Sequence, residues 1–334
     1  MSDKILVVGA TGFIGANIVH SLLARGVDVR VLLRPTSNTY NIDGLEVERA
    51  EGDLTDHPSL LNALEGCDYV FHAAGFYPIY SRPREDEERA MRETRNLLSA
   101  AKAKGVKRFV YTSSLSTIGS YGTDGPLADE KAPYHLDGIP SSYYRVKLLM
   151  EQEVLAMSPR GLDVVVANPT ACFGPGDVKP TTGQIVVDVA NRKLPALLDA
   201  PINVVDVRDV AESHVALLQK GRRGERYILG GANTTAAQLV SLIAKAAHVK
   251  PPAWKAPLWL AEFAAELSEA VNGSVLNRAR PGIPRVAIEL VKYSQHMNDA
   301  KARRELGHAS RPLEETVADA VAWFKDLGYI RSRR

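Results

Sequence analysis

The sequence predicts an α/β fold, a doubly wound parallel sheet with a smaller, mostly helical lobe built from the later part of the chain. Apolar runs of strand length alternate with segments of helical period through the first two thirds of the 334 residues. A glycine-rich turn follows the first of these runs at once. Such alternation is typical of a parallel sheet whose crossovers are right-handed. After about Asn168 the alternation gives way to loops and helices, which predicts the lobe.

Each early element follows from its own pattern. Residues 5–8 are uninterruptedly apolar, as expected for a strand that is buried on both faces. A helix is predicted from Gly12 to about Ala24, because apolar residues recur on one face and Gly26 ends it. The second strand is predicted at 29–33. Further strands are predicted at 45–50, 69–72, 108–112 and 164–167, and further helices at 59–64, 86–103 and 142–157.

Composition and charge exclude several classes of protein. Hydrophobic residues make up 45% and charged residues 24%, which is globular usage and excludes a disordered chain, a collagen or a coiled coil. The 41 basic and 39 acidic residues nearly cancel, so no electrostatic argument favours nucleic acid or an anionic membrane as a partner. Cys67 and Cys172 are too few for a disulfide framework, and no histidine pattern predicts a metal site. With no signal peptide or membrane-spanning run recognised, we expect a cytoplasmic protein.

The first chemical signal is the turn that joins the first strand to the first helix. One glycine permits a tight turn, a second lets the backbone approach a pyrophosphate, and a third lets the helix pack closely on the strand. Free N–H groups and a partial positive charge at the helix N-terminus suit the phosphates. A purely structural turn is the alternative, but the position at the start of a βαβ unit favours a dinucleotide. The turn reads Gly9-Ala10-Thr11-Gly12-Phe13-Ile14-Gly15.

The end of the second strand is expected to bind the ribose of that dinucleotide. In NAD-binding units, an acidic residue about 20 positions beyond the glycines binds the 2′-hydroxyl. Here Arg34 occupies that position, and its guanidinium could bind a 2′-phosphate and stack on adenine. Ser37 could add a hydroxyl contact. We therefore expect NADP, with NAD as the alternative and an arginine that merely faces water as the structural explanation.

The second chemical signal is a tyrosine and a lysine one helical turn apart. Tyr143 and Lys147 lie on the same face of a predicted helix. A nearby ammonium lowers the pKa of a phenol, so the pair could exchange a proton with a carbinol oxygen while a hydride moves to or from nicotinamide. The strand at 108–112 ends in Ser113 and Ser114, at the sheet edge where ligands bind. Surface packing and a local serine turn are the structural alternatives.

These residues and further strings resemble the extended short-chain dehydrogenase/reductase family of the NAD-dependent epimerase/dehydratase type. The resemblance covers nearly the whole chain, and within the family it points to the dihydroflavonol reductase-like group with its hopanoid-associated sugar epimerases. The further strings are Arg34-Pro35-Thr36-Ser37, Gly52-Asp53-Leu54, His72-Ala73-Ala74-Gly75, Asn168-Pro169, Gly174-Pro175-Gly176-Asp177-Val178-Lys179-Pro180-Thr181, Val205-Asp206-Val207-Arg208-Asp209-Val210-Ala211, Glu225-Arg226-Tyr227-Ile228-Leu229-Gly230-Gly231 and Ala300-Lys301-Ala302-Arg303-Arg304-Glu305-Leu306-Gly307.

The resemblance implies a Rossmann domain and assigns a role to each matching residue. Tyr143 is implied as the catalytic acid/base, and Lys147 as the residue that lowers its pKa and binds the nicotinamide ribose. Ser114 is implied as the hydroxyl that orients the substrate, with Ser113 as the second choice. The residues implied to bind the cofactor are Gly9, Thr11, Gly12, Phe13, Ile14, Gly15, Arg34, Ser37, Asp53, Leu54, Ala73, Ala74, Gly75, Tyr143, Lys147, Asn168, Pro169 and Thr170.

Two departures from the family pattern bear on the reaction. Ala90 stands where many members carry an asparagine in the helix after the fourth strand. Leu115, Ser116 and Thr117 follow the catalytic hydroxyl where family dehydratases place an acidic pair, which argues against sugar dehydration. Members of the family often dimerise through the helices flanking the catalytic tyrosine, so a homodimer is one arrangement open to this chain.

The resemblance and the pattern together predict the organisation and the reaction. Residues 1–170 are expected to form the dinucleotide-binding domain, with a segment near 203–230 returning to it. Residues 171–202 and 231–334 are expected to form mainly the substrate lobe. We expect an NADP-dependent reductase or dehydrogenase acting on a carbonyl or secondary alcohol of a small-molecule substrate. A nucleotide-sugar epimerase with bound NAD and a dinucleotide sensor without turnover are the alternatives.

The later lobe bears on the polarity of that substrate. The apolar segment 254–265 would suit a hydrophobic ketone if it lay beside the substrate, although ordinary helix packing also explains it. A sugar diphosphate would instead require clustered cations, and three arginines keep that option open. They are Arg278, Arg280 and Arg285.

Overall fold

The structure of the protein is a computed structural model, and it describes residues 3–75, 83–122, 124–134, 141–269, 271 and 285–331. The strands within these ranges are β1 (Lys4–Val8), β2 (Asp28–Leu33), β3 (Glu48–Glu51), β4 (Tyr69–His72), β5 (Arg108–Thr112), β6 (Val164–Pro169), β7 (Ala171–Phe173), β8 (Pro201–Asp206), β9 (Arg226–Leu229) and β10 (Ala232–Thr235). The helices are α1 (Phe13–Leu23), α2 (His57–Ala63), α3 (Pro83–Ala103), α4 (Ser142–Leu155), α5 (Gln184–Ala190), α6 (Val207–Lys220), α7 (Ala236–Ala246), α8 (Leu258–Glu269), α9 (Arg285–Lys292), α10 (Ala300–Leu306) and α11 (Leu313–Asp326).

A parallel sheet of seven strands forms the centre of the described structure, in the order β3-β2-β1-β4-β5-β6-β9. From β1 the chain winds first toward β3 and then, from β4 onward, toward the opposite edge. The crevice between the carboxyl ends of β1 and β4 is therefore the topological switch point, where ligands bind in such sheets. The predicted doubly wound α/β fold is confirmed.

Two hydrophobic layers cover this sheet because its central strands are apolar on both faces. On one face, α1 and α6 pack over side chains such as Val7 and Val110. On the other face, α2, α3 and α4 pack over Leu6, Phe109 and Val164, among others. Since each central strand is buried from both sides, its sequence reads as a continuous apolar run instead of an alternation.

The third strand differs from its prediction. It spans Glu48–Glu51 and pairs with β2 from Arg30 to Leu33, whereas residues 45–50 were expected to form it. Leu45 and Val47 still contact the core, but their N–H groups donate to carbonyls within the preceding turn. The alternation of apolar residues therefore indicated which side chains contact the core, but it did not indicate which residues pair with the neighbouring strand. The remaining predicted ends are displaced by a few residues at most, and β4 and β5 have the predicted bounds.

The later part of the chain forms a second layer system around a small sheet. In this sheet β8 runs parallel to β7 and antiparallel to β10. The helices α5, α7 and α11 bury a separate hydrophobic cluster against it. Within the segment 203–230, β8 belongs to this small sheet, while α6 and β9 join the large one. Among the described residues, no helix has the length and apolarity that crossing a membrane requires.

Candidate active site

The glycine-rich turn brings two strand ends into backbone contact. Gly9 has a φ of +88°, which glycine adopts without strain, and a Cβ built on it would lie 2.4 Å from the backbone nitrogen of Ala74. A Cβ on Gly15 would lie 2.1 Å from the carbonyl oxygen of Gly9. Side chains at either position would push the helix or the neighbouring turn away. The glycines thus hold the turn after β1 against the turn after β4.

The start of α1 is arranged as an anion site. The helix begins at Phe13 with Gly12 as its N-cap, and no side chain of the described residues caps its first turn. Phe13 and Ile14 pack on the core beneath and anchor that turn. The N–H groups of an uncapped helix start, together with the helix dipole, suit a pyrophosphate. Thr11 precedes this turn, and its carbonyl accepts a hydrogen bond of 3.3 Å from Asn41 Nδ2.

The turn after β4 lies on the other side of the crevice. Ala73 packs on the cluster beneath α1, and Ala74 packs on the cluster beneath α3 and α4. The chain therefore crosses between the two layers at this point, and Gly75, the next residue, is exposed. These small residues leave backbone rather than side chains along the crevice, which suits the middle of an extended dinucleotide.

Four of the residues predicted or implied to bind the cofactor gather at the carboxyl ends of β2 and β3. Ser37 Oγ accepts a hydrogen bond of 3.0 Å from the Arg34 backbone N–H, so this hydroxyl shapes the turn itself. Arg34 is exposed, and no ion pair joins it to another residue in the described ranges. Hydrogen bonds from Thr55 lower the pKa of Asp53, and the charge of Arg34 adds to this effect. Leu54 contacts the core and accepts a hydrogen bond from Asn96.

The structure brings Ser114 and Tyr143 together. The distance from Ser114 Oγ to Tyr143 Oη is 3.1 Å, and both side chains are buried. Ser113 is directed elsewhere, because its Oγ contacts Thr117 Oγ1 at 3.5 Å. Of the two serines, Ser114 therefore has the geometry to share a substrate oxygen with Tyr143.

Lys147 lies on α4 one helical turn after Tyr143, close to the crevice. A Cβ built on Gly75 would lie 3.9 Å from Lys147 Nζ, which places the amine beside the turn after β4. Among the described residues the amine has no hydrogen-bond partner. A buried ammonium needs partners, and the hydroxyls of a ribose would supply them. Its donors therefore fit a nicotinamide ribose lying in the crevice.

Burial dominates the electrostatics of the pair. It lowers the pKa of Lys147 to about 8, against the opposing charge of Glu151. Burial also raises the pKa of Tyr143, although hydrogen bonds from Ser114 and Ser116 oppose the rise. The lowering of the Tyr143 pKa that we expected from Lys147 is therefore not seen in the protein alone, because desolvation of the phenolate is the larger effect.

His72 adds a neutral group beside Lys147. Burial, with the charge of Lys147 in addition, lowers the pKa of His72 to about 3, so the ring is uncharged at neutral pH. Its ring lies 5.4 Å from that of Tyr111 on the paired strand. Neither ring nitrogen of His72 has a hydrogen-bond partner within the part of the chain that the structure describes. Of His72 and Lys147, only Lys147 therefore carries a charge at neutral pH.

Three consecutive residues that the resemblance implied in cofactor binding, 168–170, are bound mainly to the protein itself. Asn168 is fully buried, and its Nδ2 donates to Glu151 Oε2 at 2.7 Å. Thr170 Oγ1 donates to Asn203 Oδ1 at 2.7 Å. Pro169 ends β6 and is buried. The side chains of Asn168 and Thr170 therefore support the crevice floor rather than face an open ligand site.

The departure at Ala90 is accommodated by packing. Ala90 is buried in the cluster beneath α3 and α4, and its carbonyl accepts the Thr94 hydroxyl at 2.7 Å. A methyl group thus fills the place that many members of the resembled family give to an amide. Sequence reasoning missed Glu151 and its partners, although Glu151 continues the helix face of Tyr143 and Lys147 at the same spacing.

The later part of the chain contributes an apolar wall through α9 and the residue that follows it. Val286, Leu290 and Tyr293 pack against Tyr143 and Tyr144. The sequence left open whether segment 254–265 forms such a wall or packs as an ordinary helix. Trp254, Trp259 and Phe263 of that segment are exposed by 55%, 66% and 60%, and they do not belong to this cluster. Arg285 forms an ion pair with Glu289 at 2.9 Å, and Arg278 and Arg280 lie outside the described residues.

Comparison with known proteins places the chain among enzymes. A sequence model of the NAD dependent epimerase/dehydratase family matches residues 5–230. The chain is 36% identical to a putative dihydroflavonol 4-reductase of Synechocystis sp., with 100% of this chain and 98% of that protein covered. It is 34% identical to sterol demethylase protein B of Methylococcus capsulatus, with 97% and 99% covered.

Solved structures share the whole fold. The crystal structure of gox2253 has a TM-score of 0.86 and 37% identity, and the match covers 99% of this chain and 100% of that one. PA4631, a nucleoside-diphosphate-sugar epimerase from Pseudomonas aeruginosa, has a TM-score of 0.83 and 27% identity over 99% and 100%.

Proposed function

Because the chain belongs to the NAD-dependent epimerase/dehydratase family of extended short-chain dehydrogenases/reductases, we propose that it is an NADP-dependent oxidoreductase. It would transfer a hydride between nicotinamide and the carbon of a carbonyl or secondary alcohol, with Tyr143 as acid/base. The reductase and dehydrogenase names of its relatives support an NAD(P)-linked oxidoreductase. The observation that carries the finer proposal is the 3.1 Å contact between Ser114 and Tyr143, with Lys147 on the same helix face.

The residues divide the chemistry between them. The cofactor, when bound, supplies or accepts the hydride. In the reductive direction the Tyr143 phenol donates its proton to the carbonyl oxygen, and Ser114 donates a hydrogen bond to the same oxygen. The ammonium of Lys147 stabilises the phenolate that remains, and solvent then restores the proton. Because both hydroxyls are buried, the oxygen that they bind is shielded from competing water.

The crevice residues would hold the dinucleotide along its length. The backbone at Gly9, Gly12 and Gly15 would bind the pyrophosphate at the start of α1. Lys147 would bind the nicotinamide ribose. Arg34 and the turn closed by Ser37 would bind the 2′-phosphate, because the guanidinium is exposed and free of ion pairs to the described residues.

Replacement of Arg34 by serine is expected to convert the cofactor preference. Loss of a charge-assisted contact of about 2 kcal/mol would raise the KM for NADPH roughly 30-fold. The KM for NADH would stay within about twofold, since NADH has no phosphate for the guanidinium to bind. Initial rates with each cofactor, at a fixed concentration of one ketone, measure both values. An equal loss with both cofactors would mean that Arg34 does not bind the 2′-phosphate.

The wall formed by α9 favours an apolar substrate. Val286, Leu290 and Tyr293 meet Tyr143 from the lobe side, so a substrate reaching the phenol would lie beside apolar groups. The cations of α9 are paired, Arg285 with Glu289 and Lys292 with Glu262. Such a site suits a hydrophobic ketone or aldehyde better than a sugar diphosphate. The sterol named in one relative is in keeping with this chemistry.

A panel of carbonyl compounds tests the proposal. Purified protein would be supplied with NADPH or NADH and a series of ketones and aldehydes of rising hydrophobicity, and the absorbance of the reduced nicotinamide would be followed. We expect NADPH oxidation that becomes more efficient as the ketones become more apolar. Oxidation of neither cofactor, with NAD copurifying, would instead support the nucleotide-sugar epimerase. Dinucleotide binding without turnover in either assay would support a sensor.

A further inference from the structure

A carboxylate continues the catalytic face of α4. Tyr143, Lys147 and Glu151 follow one another at intervals of one helical turn, so they share a face. Glu151 is only 1% exposed, and no part of the proposed proton transfer requires it. An ionised carboxylate is costly to bury unless several donors surround it. A carboxylate buried this close to the proposed reaction centre therefore needs hydrogen-bond donors around it.

Three donors surround the carboxylate of Glu151. Glu151 Oε2 accepts hydrogen bonds from Thr117 Oγ1 at 2.6 Å and from Asn168 Nδ2 at 2.7 Å. Glu151 Oε1 accepts one from Arg226 Nη1 at 3.0 Å. The same guanidinium donates through Nη2 to the carbonyl oxygen of Thr117, also at 3.0 Å. The carboxylate thus ties α4 to β6, to β9 and to the 3₁₀ turn Leu115–Thr117.

That turn holds the substrate-orienting hydroxyl. Ser114 is its N-cap residue, and Ser114 Oγ accepts a hydrogen bond of 3.1 Å from the Ser116 backbone N–H. Asn168 Nδ2 also donates to the carbonyl oxygen of Ser114 at 3.2 Å. The three residues that bind Glu151 therefore all belong to the segment from Ser114 to Thr117 or donate hydrogen bonds to it. A shift of the carboxylate would move Ser114 relative to Tyr143.

We propose that Glu151 is a positioning residue of this active site, which fixes the turn that carries Ser114 and sets a negative charge one helical turn behind Lys147. The inference rests on the proposed reductase function. Glu151 touches neither substrate nor cofactor in this proposal, and it acts through Thr117 and Asn168 on one side and through the field at Lys147 on the other.

The charge effect has a definite sign. The negative charge of Glu151 opposes the effect of burial and so raises the pKa of Lys147, which remains at about 8. Loss of that charge would lower the pKa of Lys147 further, so the amine would lose its proton at a lower pH. His72 is neutral at neutral pH and does not replace the lost charge.

The other titratable groups near this face act elsewhere or only weakly. Tyr111 on β5 stays protonated, because burial raises its pKa, and Glu289 of α9 acts on Tyr144. The guanidinium of Arg226 on β9 is bound to Glu151 itself. The charged residues of α3 that reach α4 pair with its outer side chains, Glu87 with Arg145 and Arg95 with Glu153.

Two substitutions separate the two roles. Glu151→Gln keeps the length and removes the charge, and Glu151→Asp keeps the charge and shortens the reach. In the parent, we expect kcat/KM for NADPH to fall above about pH 8, where Lys147 loses its proton; this fall is the alkaline limb of the pH profile. For Glu151→Gln we expect the alkaline limb to lie about one pH unit lower. For Glu151→Asp we expect the limb to stay in place and kcat to fall about tenfold, because Thr117 and Asn168 lose their acceptor.

A third substitution is the matched control. Asp163→Asn removes a partly buried carboxylate that accepts two hydrogen bonds from Arg108, at 2.8 and 3.1 Å. This pair lies at the amino ends of β5 and β6, away from the proposed reaction centre. Asp163→Asn should lower the free energy of unfolding about as much as the Glu151 substitutions do. It should leave kcat within twofold of the parent's and the alkaline limb of kcat/KM at the same pH. Thr117→Val serves if both Glu151 variants fail to fold, with an expected fall in kcat of about threefold to tenfold and no change in the limb.

The outcomes are distinct from those that test the function. Parent protein that oxidises no NADPH with any carbonyl compound would overturn the proposed function. If the parent is active, a Glu151→Gln limb that coincides with the parent's, together with kcat values for Glu151→Asp and Thr117→Val within twofold of the parent's, would overturn the positioning role. Changes in kcat and in the pH of the alkaline limb no larger than those of Asp163→Asn would show that Glu151 has a structural role only.

Discussion

Replacement of Tyr143 by phenylalanine is expected to lower kcat about a thousandfold while leaving the KM for NADPH within about threefold. The phenol is the proposed proton donor, and proton transfer by a positioned side chain contributes roughly a hundredfold to ten thousandfold. The ring itself would stay packed against Val286 and Tyr144, so the fold should be kept. Steady-state rates with NADPH and an accepted ketone measure the loss.

The adjacent residue offers a matched control. Tyr144→Phe removes a hydroxyl from the same buried cluster, and that hydroxyl has no hydrogen-bond partner among the residues that the structure describes. Its kcat should stay within twofold, and its free energy of unfolding should change little. If Tyr143→Phe turned over substrate as fast as the parent, or if both variants lost activity equally, Tyr143 would not be the acid/base.

The second large effect is expected at the glycine-rich turn. Gly9→Ala places a methyl group 2.4 Å from the backbone nitrogen of Ala74 in a residue whose φ is +88°. The turns after β1 and β4 must then separate, and the crevice that would hold the pyrophosphate is lost. We expect the free energy of unfolding to fall by about 3 kcal/mol or more and the Kd for NADPH to rise at least a hundredfold. Chemical denaturation and fluorescence titration measure these quantities.

A substitution at Gly26 separates the effect of backbone strain from the effect of the steric clash at Gly9. Its φ is +68°, and a Cβ there would meet nothing within 4 Å. Gly26→Ala should therefore show only the cost of a left-handed conformation, about 1 kcal/mol, with unchanged cofactor affinity. Equal effects of the two alanine substitutions on the Kd would show that the turn at Gly9 does not form the cofactor site.

The fold was largely predictable because its signals are local. Continuous apolar runs such as that of β1 report burial on both faces, and the turn at Gly9 marks the junction of strand and helix. The third strand was misplaced for a related reason. Leu45 and Val47 reach the core from a turn, and periodicity reports burial but not hydrogen-bond pairing.

Residue spacing alone could bring site residues together only where they share one element. Tyr143 and Lys147 occupy one helix, so their spacing places them together. The groups around Glu151 come from α4, β6, β9 and the turn after β5, and only the folded sheet brings these segments into contact. The α9 wall was missed for the same reason, since its apolar face is defined by what it covers. The direction of the Tyr143 pKa depends on burial, which the spacing of two residues does not reveal.

We propose that a hydride passes between nicotinamide and a substrate carbon beside Tyr143. The most direct test of this proposal is the reaction of purified protein with NADPH deuterated at the transferable position of the nicotinamide and with a ketone that the protein accepts. We expect one deuterium on the carbinol carbon for each cofactor oxidised, and a slower rate with the deuterated cofactor. An alcohol product without deuterium, or turnover of a sugar nucleotide during which the bound cofactor shows no net oxidation, would contradict the proposal.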